Sequence, residues 1–427
     1  MNRYLIQYIK ENASDPLIQK YVDYFKVELD WFIYNYGDHI SPTHKRKPKQ
    51  SLKTSIYKLF QYYYPSNPIQ KENSQQKRIL SSLYYGTETL EELGFKTYSS
   101  IFQPVGWKDI IKDRTTTNLQ KRIKSIIKSG KFTDLFNPSL FQELELNKNR
   151  LIEIYRNYDL RGLLLFTDQY FESKYLIDIF RQLDRPSFIF SHGLPGIYSP
   201  DVDHRSDYLM VWGEKIKENY IHLTGMDSEK IKVVGNAKYP EIPKNLGLRS
   251  SLDDVLVIPI SSVLWHQHEW GLPQLVDRSM TILYLYQVQQ VLQKLGVKTA
   301  RFRPHPSIDS EWVFGFLDKK FYKPDPLPLQ ESFNRSSLVI GATSTTFLES
   351  LLNGVNYIIY EPTDANGCDL LRSKKVPPFD GSVPGLEIAN TPDELTYLIQ
   401  SHYQSDPKVL DGYLQPLDLS CLKKLIK

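Results

Sequence analysis

Residues 302–307, FRPHPS, set a single imidazole, His305, between Pro304 and Pro306, two positions after Arg303 and just past the apolar run VKTARF. An imidazole at a strand end can donate to a phosphate oxygen, and flanking prolines remove backbone freedom that binding would otherwise have to freeze. The Arg303 guanidinium adds a charge-assisted fork suited to phosphate. The same residues also fit a plain turn in which His305 caps the chain. A second group lies in SSLVIGATSTTFLESLLNGVNYIIYEP, 336–362, which reads as strand, tight loop, helix and strand, with Gly341 permitting the turn. Thr343, Ser344, Thr345 and Thr346 stand at the start of a helix expected from near Phe347. Hydroxyls and backbone amides at a helix start, assisted by its dipole, form an anion site without a lysine. Ordinary capping explains one of the four hydroxyls and leaves the others over. Glu349, in the first turns of that helix, is placed to reach ribose hydroxyls.

Weaker signals complete the set. In VIPISSVLWHQHEWG, Ser261 and Ser262 follow a strand, and His266, His268 and Glu269 have a superficially metal-like pattern with nothing further to complete a coordination sphere. Polar lining of a cleft is the preferred reading there, and a surface loop the bland one. Three titratable residues lie at predicted strand ends in the first half: Glu88 in YYGTET, Asp168 in LLLFTDQYF and His192 in FIFSHG. Each fits acid–base work, and each equally fits a helix cap or a strand-end turn.

These residues need a scaffold that brings strand ends together. Residues 1 to about 70 carry apolar positions at helical spacing, as in PLIQKYVDYFKVELDWFIYNYG, and no strand alternation. From 78 onward short apolar runs (RILSSLYYG, GLLLFTD, PSFIFSHG, DYLMVWG, KIKVVGN) alternate with helical segments, the pattern of a parallel sheet wrapped by helices. Prolines, glycines and polar residues at 236–254 read as a linker, after which the alternation restarts with DVLVIPISS, KTARFRPHP, SSLVIGATS and VNYIIYEP. The expected organisation is a helical N-terminal extension over 1–75, a Rossmann-like domain over 76–245, a second over 246–400, and a helical tail over 401–427. Two such sheets facing each other bind ligands in the cleft between the carboxyl ends of their strands.

Composition removes several classes. A net charge of +4 over 427 residues argues against a dedicated nucleic-acid binder. Two cysteines, Cys368 and Cys421, are too few for a disulfide framework and point to a reducing compartment. The N-terminus has no signal-peptide core, and no uncharged run reaches the ~18 residues of a membrane span. A cytoplasmic protein is expected. The stretch HKRKPKQSLKTSIYKLFQYYYP, 44–65, fits either peripheral contact with anionic lipid on the inner face of the membrane or a solvated loop leading into a helix.

The His-Pro element, followed about forty residues later by a Ser/Thr cluster before a helix, resembles the donor half of GT-B glycosyltransferases that use cytidine nucleotides: bacterial sialyltransferases, Kdo transferases and CDP-glycerol-type polyol-phosphate transferases. The first half is similar in placing His192-Gly193 after a strand, Asp207 before YLMVWG, and Gly235-Asn236 ahead of the linker. The resemblance spans about 78 to 365 and implies a GT-B fold. It implies that Arg303, His305, Pro306, Ser261, Ser262, Thr343, Ser344, Thr345, Thr346 and Glu349 bind the donor nucleotide. Asp168 and Glu88 correspond to the carboxylates that act as base or nucleophile in the sialyl and Kdo groups, and His192 to the proposed base of the polyol-phosphate group. The acidic triplet ending in glycine, typical of sialyltransferases, is absent from TDQYFE. The implied function is transfer of an acidic sugar, a nonulosonic acid or Kdo, from its CMP ester to a hydroxyl of a bacterial-type surface glycan. No cofactor and no metal are expected, because the departing group is a nucleotide monophosphate; Asp201-x-Asp203 reads as a polar loop. The alternatives are a CDP-polyol phosphotransferase, a UDP-sugar GT-B enzyme, and a non-catalytic nucleotide-sugar-binding homologue.

Overall fold

The computed structural model describes residues 3–29, 76–83, 86–100, 102, 109–111, 113–129, 132–191, 193–196, 198, 205–236, 239, 247–259, 266–267, 272–273, 279–304, 313–363 and 375–427. The stretch 44–65 lies outside the described residues, as do His192, Asp201, Asp203, Ser261, Ser262, His268, Glu269, His305, Pro306 and Cys368.

The first domain is built on β1 (Lys77–Ser81), β2 (Phe95–Ser100), β3 (Ile110–Ile111), β4 (Leu160–Leu165), β5 (Ser187–Phe190), β6 (Tyr208–Val211) and β7 (Ile231–Val233). They pair in the order β3-β2-β1-β4-β5-β6-β7, every pair parallel. The central strands are apolar on both faces: SFIF of β5 is wholly buried, and so are the last four residues of β4. A parallel sheet covered by helices on both sides imposes that pattern. The crossover helix Pro138–Asn157 starts where Asn137 accepts the Ser139 N–H at 3.0 Å, and Asp159, at φ 50°, turns the chain into β4.

The second domain holds β8 (Val255–Ile258), a short antiparallel pair β9 (His266–Gln267) and β10 (Leu272–Pro273), then β11 (Ala300–Phe302), β12 (Tyr322–Pro324), β13 (Leu338–Gly341), β14 (Tyr357–Tyr360) and β15 (Ile388–Ala389). Its sheet runs β12-β11-β8-β13-β14-β15, again all parallel. In both sheets the strand order reverses once, at β1/β4 and at β8/β13, and a ligand crevice opens outside the carboxyl ends at such a point. The expected GT-B architecture, two Rossmann-like parallel-sheet domains with an N-terminal helical extension, is the one observed.

Both ends of the chain join the first domain. Tyr21, Phe25 and Leu29 are fully buried in the same apolar cluster as Phe141, Phe171 and Tyr175, so this part of the extension completes the core rather than trailing from it. At the other end Leu419, Leu422 and Ile426 pack with Ile79, Leu164 and Phe188, and the Lys77 ammonium donates to the Ile426 carbonyl at 2.6 Å. The short helix Val409–Tyr413 packs against both Glu214–Thr224 of the first domain and Thr346–Leu352 of the second. Among the described residues no helix is long and apolar enough to cross a membrane.

Candidate functional site

The loop after β13 is the centre of the candidate site. Parallel register pairs Gly341 with Ile359, and two residues further on Thr343 faces Glu361. The Glu361 carboxylate, 1% exposed, accepts both the Thr343 N–H at 2.6 Å and the Thr343 hydroxyl. One of the four expected hydroxyls is thereby consumed in fixing the loop to the end of β14. Ser344 and Thr346 share a hydrogen bond, and the Thr346 amide donates to the Ser344 hydroxyl at 3.2 Å. Thr345 crosses to the other domain: its hydroxyl accepts the Leu194 N–H at 2.9 Å. Ser344, Thr345 and Thr346 remain partly exposed.

Gly341 has a role other than the expected turn. Its φ is not in the left-handed region; a Cβ here would lie 2.0 Å from the Tyr357 hydroxyl, which donates to the Ala342 carbonyl at 2.6 Å. Glycine is required because a phenol passes against the backbone. Gly193 serves the same purpose between the domains, since a Cβ there would stand 2.6 Å from the Thr345 hydroxyl. Gly193 and Leu194, after β5, therefore lie directly against Thr345, after β13, with Leu194 and Thr345 151 positions apart in sequence.

Glu349 lies on the inner face of its helix, 6% exposed. It faces Tyr239, whose phenol is pushed up from its usual value by burial first and then by the Glu349 charge and hydrogen bond. Arg303 Nη1 donates to the Leu327 carbonyl at 2.5 Å and the Ser332 hydroxyl at 3.1 Å, and lies 3.4 Å from Asp325. Asp325, 1% exposed, also pairs with Arg301 at 3.2 Å. This Arg303 nitrogen thus holds the second domain's own wall.

In the first domain, Asp168 is fully buried. Its Oδ2 accepts the Arg205 N–H at 3.0 Å and its Oδ1 lies 3.4 Å from Arg205 Nη1. Asp168 thus ties the turn after β4 to Arg205, just ahead of β6. Glu88 stands exposed in the first turn of Thr87–Glu92, after β1, on the same carboxyl edge of the sheet. The structure brings the β5 and β13 loops together, and it places Asp168 and Arg303 in load-carrying ion pairs.

Sequence reasoning missed Arg205, Asp325, Glu361 and Tyr239. Only Glu361 left a trace, as the acidic residue closing YIIYEP, because strand pairing alone decides that it stands level with Thr343.

No known family's sequence model matches the chain, and no curated protein sequence does. Solved structures with a related arrangement include a glycosyltransferase from Rickettsia africae, 13% identical over 83% of this chain and 99% of that one, at a TM-score of 0.46. The lipopolysaccharide outer core galactosyltransferase WaaB is 13% identical over 82% and 97%, at 0.45. The wall teichoic acid polymerase TagF is 12% identical over 93% and 95%, at 0.44. At these identities and scores the likeness is loose, and what those proteins act on does not pass to this chain.

Proposed function

We propose that the chain is a glycosyltransferase that moves an acidic sugar, of the nonulosonic or Kdo kind, from a CMP-activated donor to a hydroxyl of a bacterial-type surface glycan. The observation that carries this reading is the seam itself: Gly193–Leu194 of the first domain against Thr345 of the second, at the carboxyl ends of both sheets. A donor phosphate held by the partly exposed Ser344–Thr346 hydroxyls would have its sugar directed at the first domain. In that pose His192, the neighbour of Gly193, is the base that takes the acceptor proton. Asp168 acts through Arg205 by holding the β5–β6 loop, and Glu88 is the solvent-facing carboxylate on the same edge.

The test is thermal shift with CMP, CDP, UDP and GDP, each without metal, since a ligand of the native state raises stability by mass action. CMP should stabilise most, and preferential stabilisation by UDP would overturn the cytidine reading. His192→Ala should then abolish transfer while retaining the CMP shift. A second reading, a CDP-polyol phosphotransferase with attack at phosphorus, draws support from the burial of Asp168, which leaves His192 as the base either mechanism would use. CDP-glycerol turnover separates the two.

A further inference from the structure

The helix Phe171–Gln182, which follows Asp168, begins without a cap of its own: Tyr170 at its N-cap makes no side-chain hydrogen bond to it. The missing acceptor comes from the N-terminal extension. Glu28 Oε1 accepts the Phe171 N–H at 3.0 Å, across 143 positions of sequence, with Phe25 stacked on Phe171 at 4.6 Å between ring centres. Glu28 is only 7% exposed, and its Oε2 has no hydrogen-bond partner among the described residues. A buried carboxylate with one oxygen unsatisfied is a costly way to cap a helix, and packing alone would be served better by an apolar residue.

We infer that Glu28 is a positioning residue of the acceptor lobe: through it the N-terminal segment fixes the turn after β4, and with it the Asp168–Arg205 contact. The inference rests on the transferase reading above. Burial pushes the Glu28 carboxyl up to about 7, with Lys174 and the Phe171 amide pulling it down and Glu172 pushing it further up. Tyr170 senses its charge, and Lys174, 5% exposed, donates to the Asp23 carbonyl at 3.2 Å. On the helix Pro138–Asn157 the charged neighbours, Glu145 and Lys148, face Lys20, Tyr21 and Asp178 instead. The capping bond favours the ionised form, but burial outweighs it, so by linkage the docked segment loosens as Glu28 loses its proton.

The experiment uses the full chain as wild type, Glu28→Gln, which keeps an acceptor but cannot titrate, and Glu28→Leu. Hydrogen exchange over residues 170–174, corrected for intrinsic rates, should show wild-type protection falling several-fold between pH 6 and 8, flat protection in Glu28→Gln, and loss of protection in Glu28→Leu. Unchanged protection in Glu28→Leu, or the wild-type pH step persisting in Glu28→Gln, would overturn the inference. In turnover of CMP-N-acetylneuraminate the wild-type kcat profile should carry a step near pH 7 that Glu28→Gln removes at unchanged KM. A kcat step that survives in Glu28→Gln overturns the positioning role even where the cap is real. If wild type turns over no CMP-sugar, the donor reading fails while the exchange measurement still decides the role of Glu28.

Discussion

Substitution of Gly193 by alanine tests the interlobe seam directly. The new Cβ would lie 2.6 Å from the Thr345 hydroxyl and 3.6 Å from the Thr345 Cβ. Only the hydroxyl is too close; the methine is at ordinary contact distance. Gly193 has no left-handed φ, so alanine meets no backbone strain and gains about 0.4–1 kcal/mol from the unfolded chain. Against this stands overpacking of about 1–3 kcal/mol, together with about 1 kcal/mol when Thr345 is pushed off the Leu194 amide, now 2.9 Å away. Gly193→Ala should therefore cost about 1–3 kcal/mol net. Thr345→Ala alone should cost about 1 kcal/mol, the lost hydrogen bond. In the double variant the clashing oxygen is gone, so the pair should cost less than its parts by about 1–2 kcal/mol. Urea unfolding of the four proteins, read at the first cooperative transition, gives the coupling, and CMP affinity of each shows whether the seam matters for binding. Additivity within about 0.3 kcal/mol would mean that the two loops do not touch in solution, and the assignment of the site to this seam would be refuted.

Three further outcomes are expected. The Glu28 carboxyl, raised from 4.5 to about 7 by burial, contributes stability that is complete below its ordinary value and is lost as pH rises through 7. Relative to wild type, Glu28→Gln should therefore gain up to about 3 kcal/mol between pH 4.5 and 8, and a pH-independent difference in urea midpoints would refute this. Lys148 is fully buried, paired with Asp178 at 3.0 Å and set 5.1 Å over the Tyr21 ring; Lys148→Met should cost about 3 kcal/mol and speed proteolysis within residues 3–29, a change absent if the network holds nothing. Asp325→Ala removes the carboxylate that Arg301 and Arg303 share, leaving Arg301 its pair with Asp254 at 2.6 Å, and should lower the second domain's stability by about 3 kcal/mol, a loss that denaturation of the variant measures directly.

Much of the scaffold was legible because it rests on local patterns. Apolar runs such as LLLF and FIF alternate with helical segments, and a chain that must cross a sheet between strands has few arrangements open to it. The break after residue 236 and the Ser/Thr cluster before Phe347 were visible for the same reason. The tasks of individual polar groups were not. Four hydroxyls in a row signalled a surplus over capping, yet their division between Glu361, a neighbouring hydroxyl and the opposite domain depends on β13–β14 register and on how the lobes meet. Composition holds no record of the Asp325 and Arg205 that pair with Arg303 and Asp168.

The sequence by itself determined that this chain is a pair of parallel α/β domains with chemistry-bearing residues at strand ends, since periodicity and turn residues act over a few positions. Tertiary structure alone decided that Gly193 abuts Thr345, that Asp168 holds the Arg205 amide, and that Glu28 caps a helix 143 residues away. Those contacts join segments far apart in the chain, and what selects them is the burial of charge and the close packing of backbone, which no local stretch encodes.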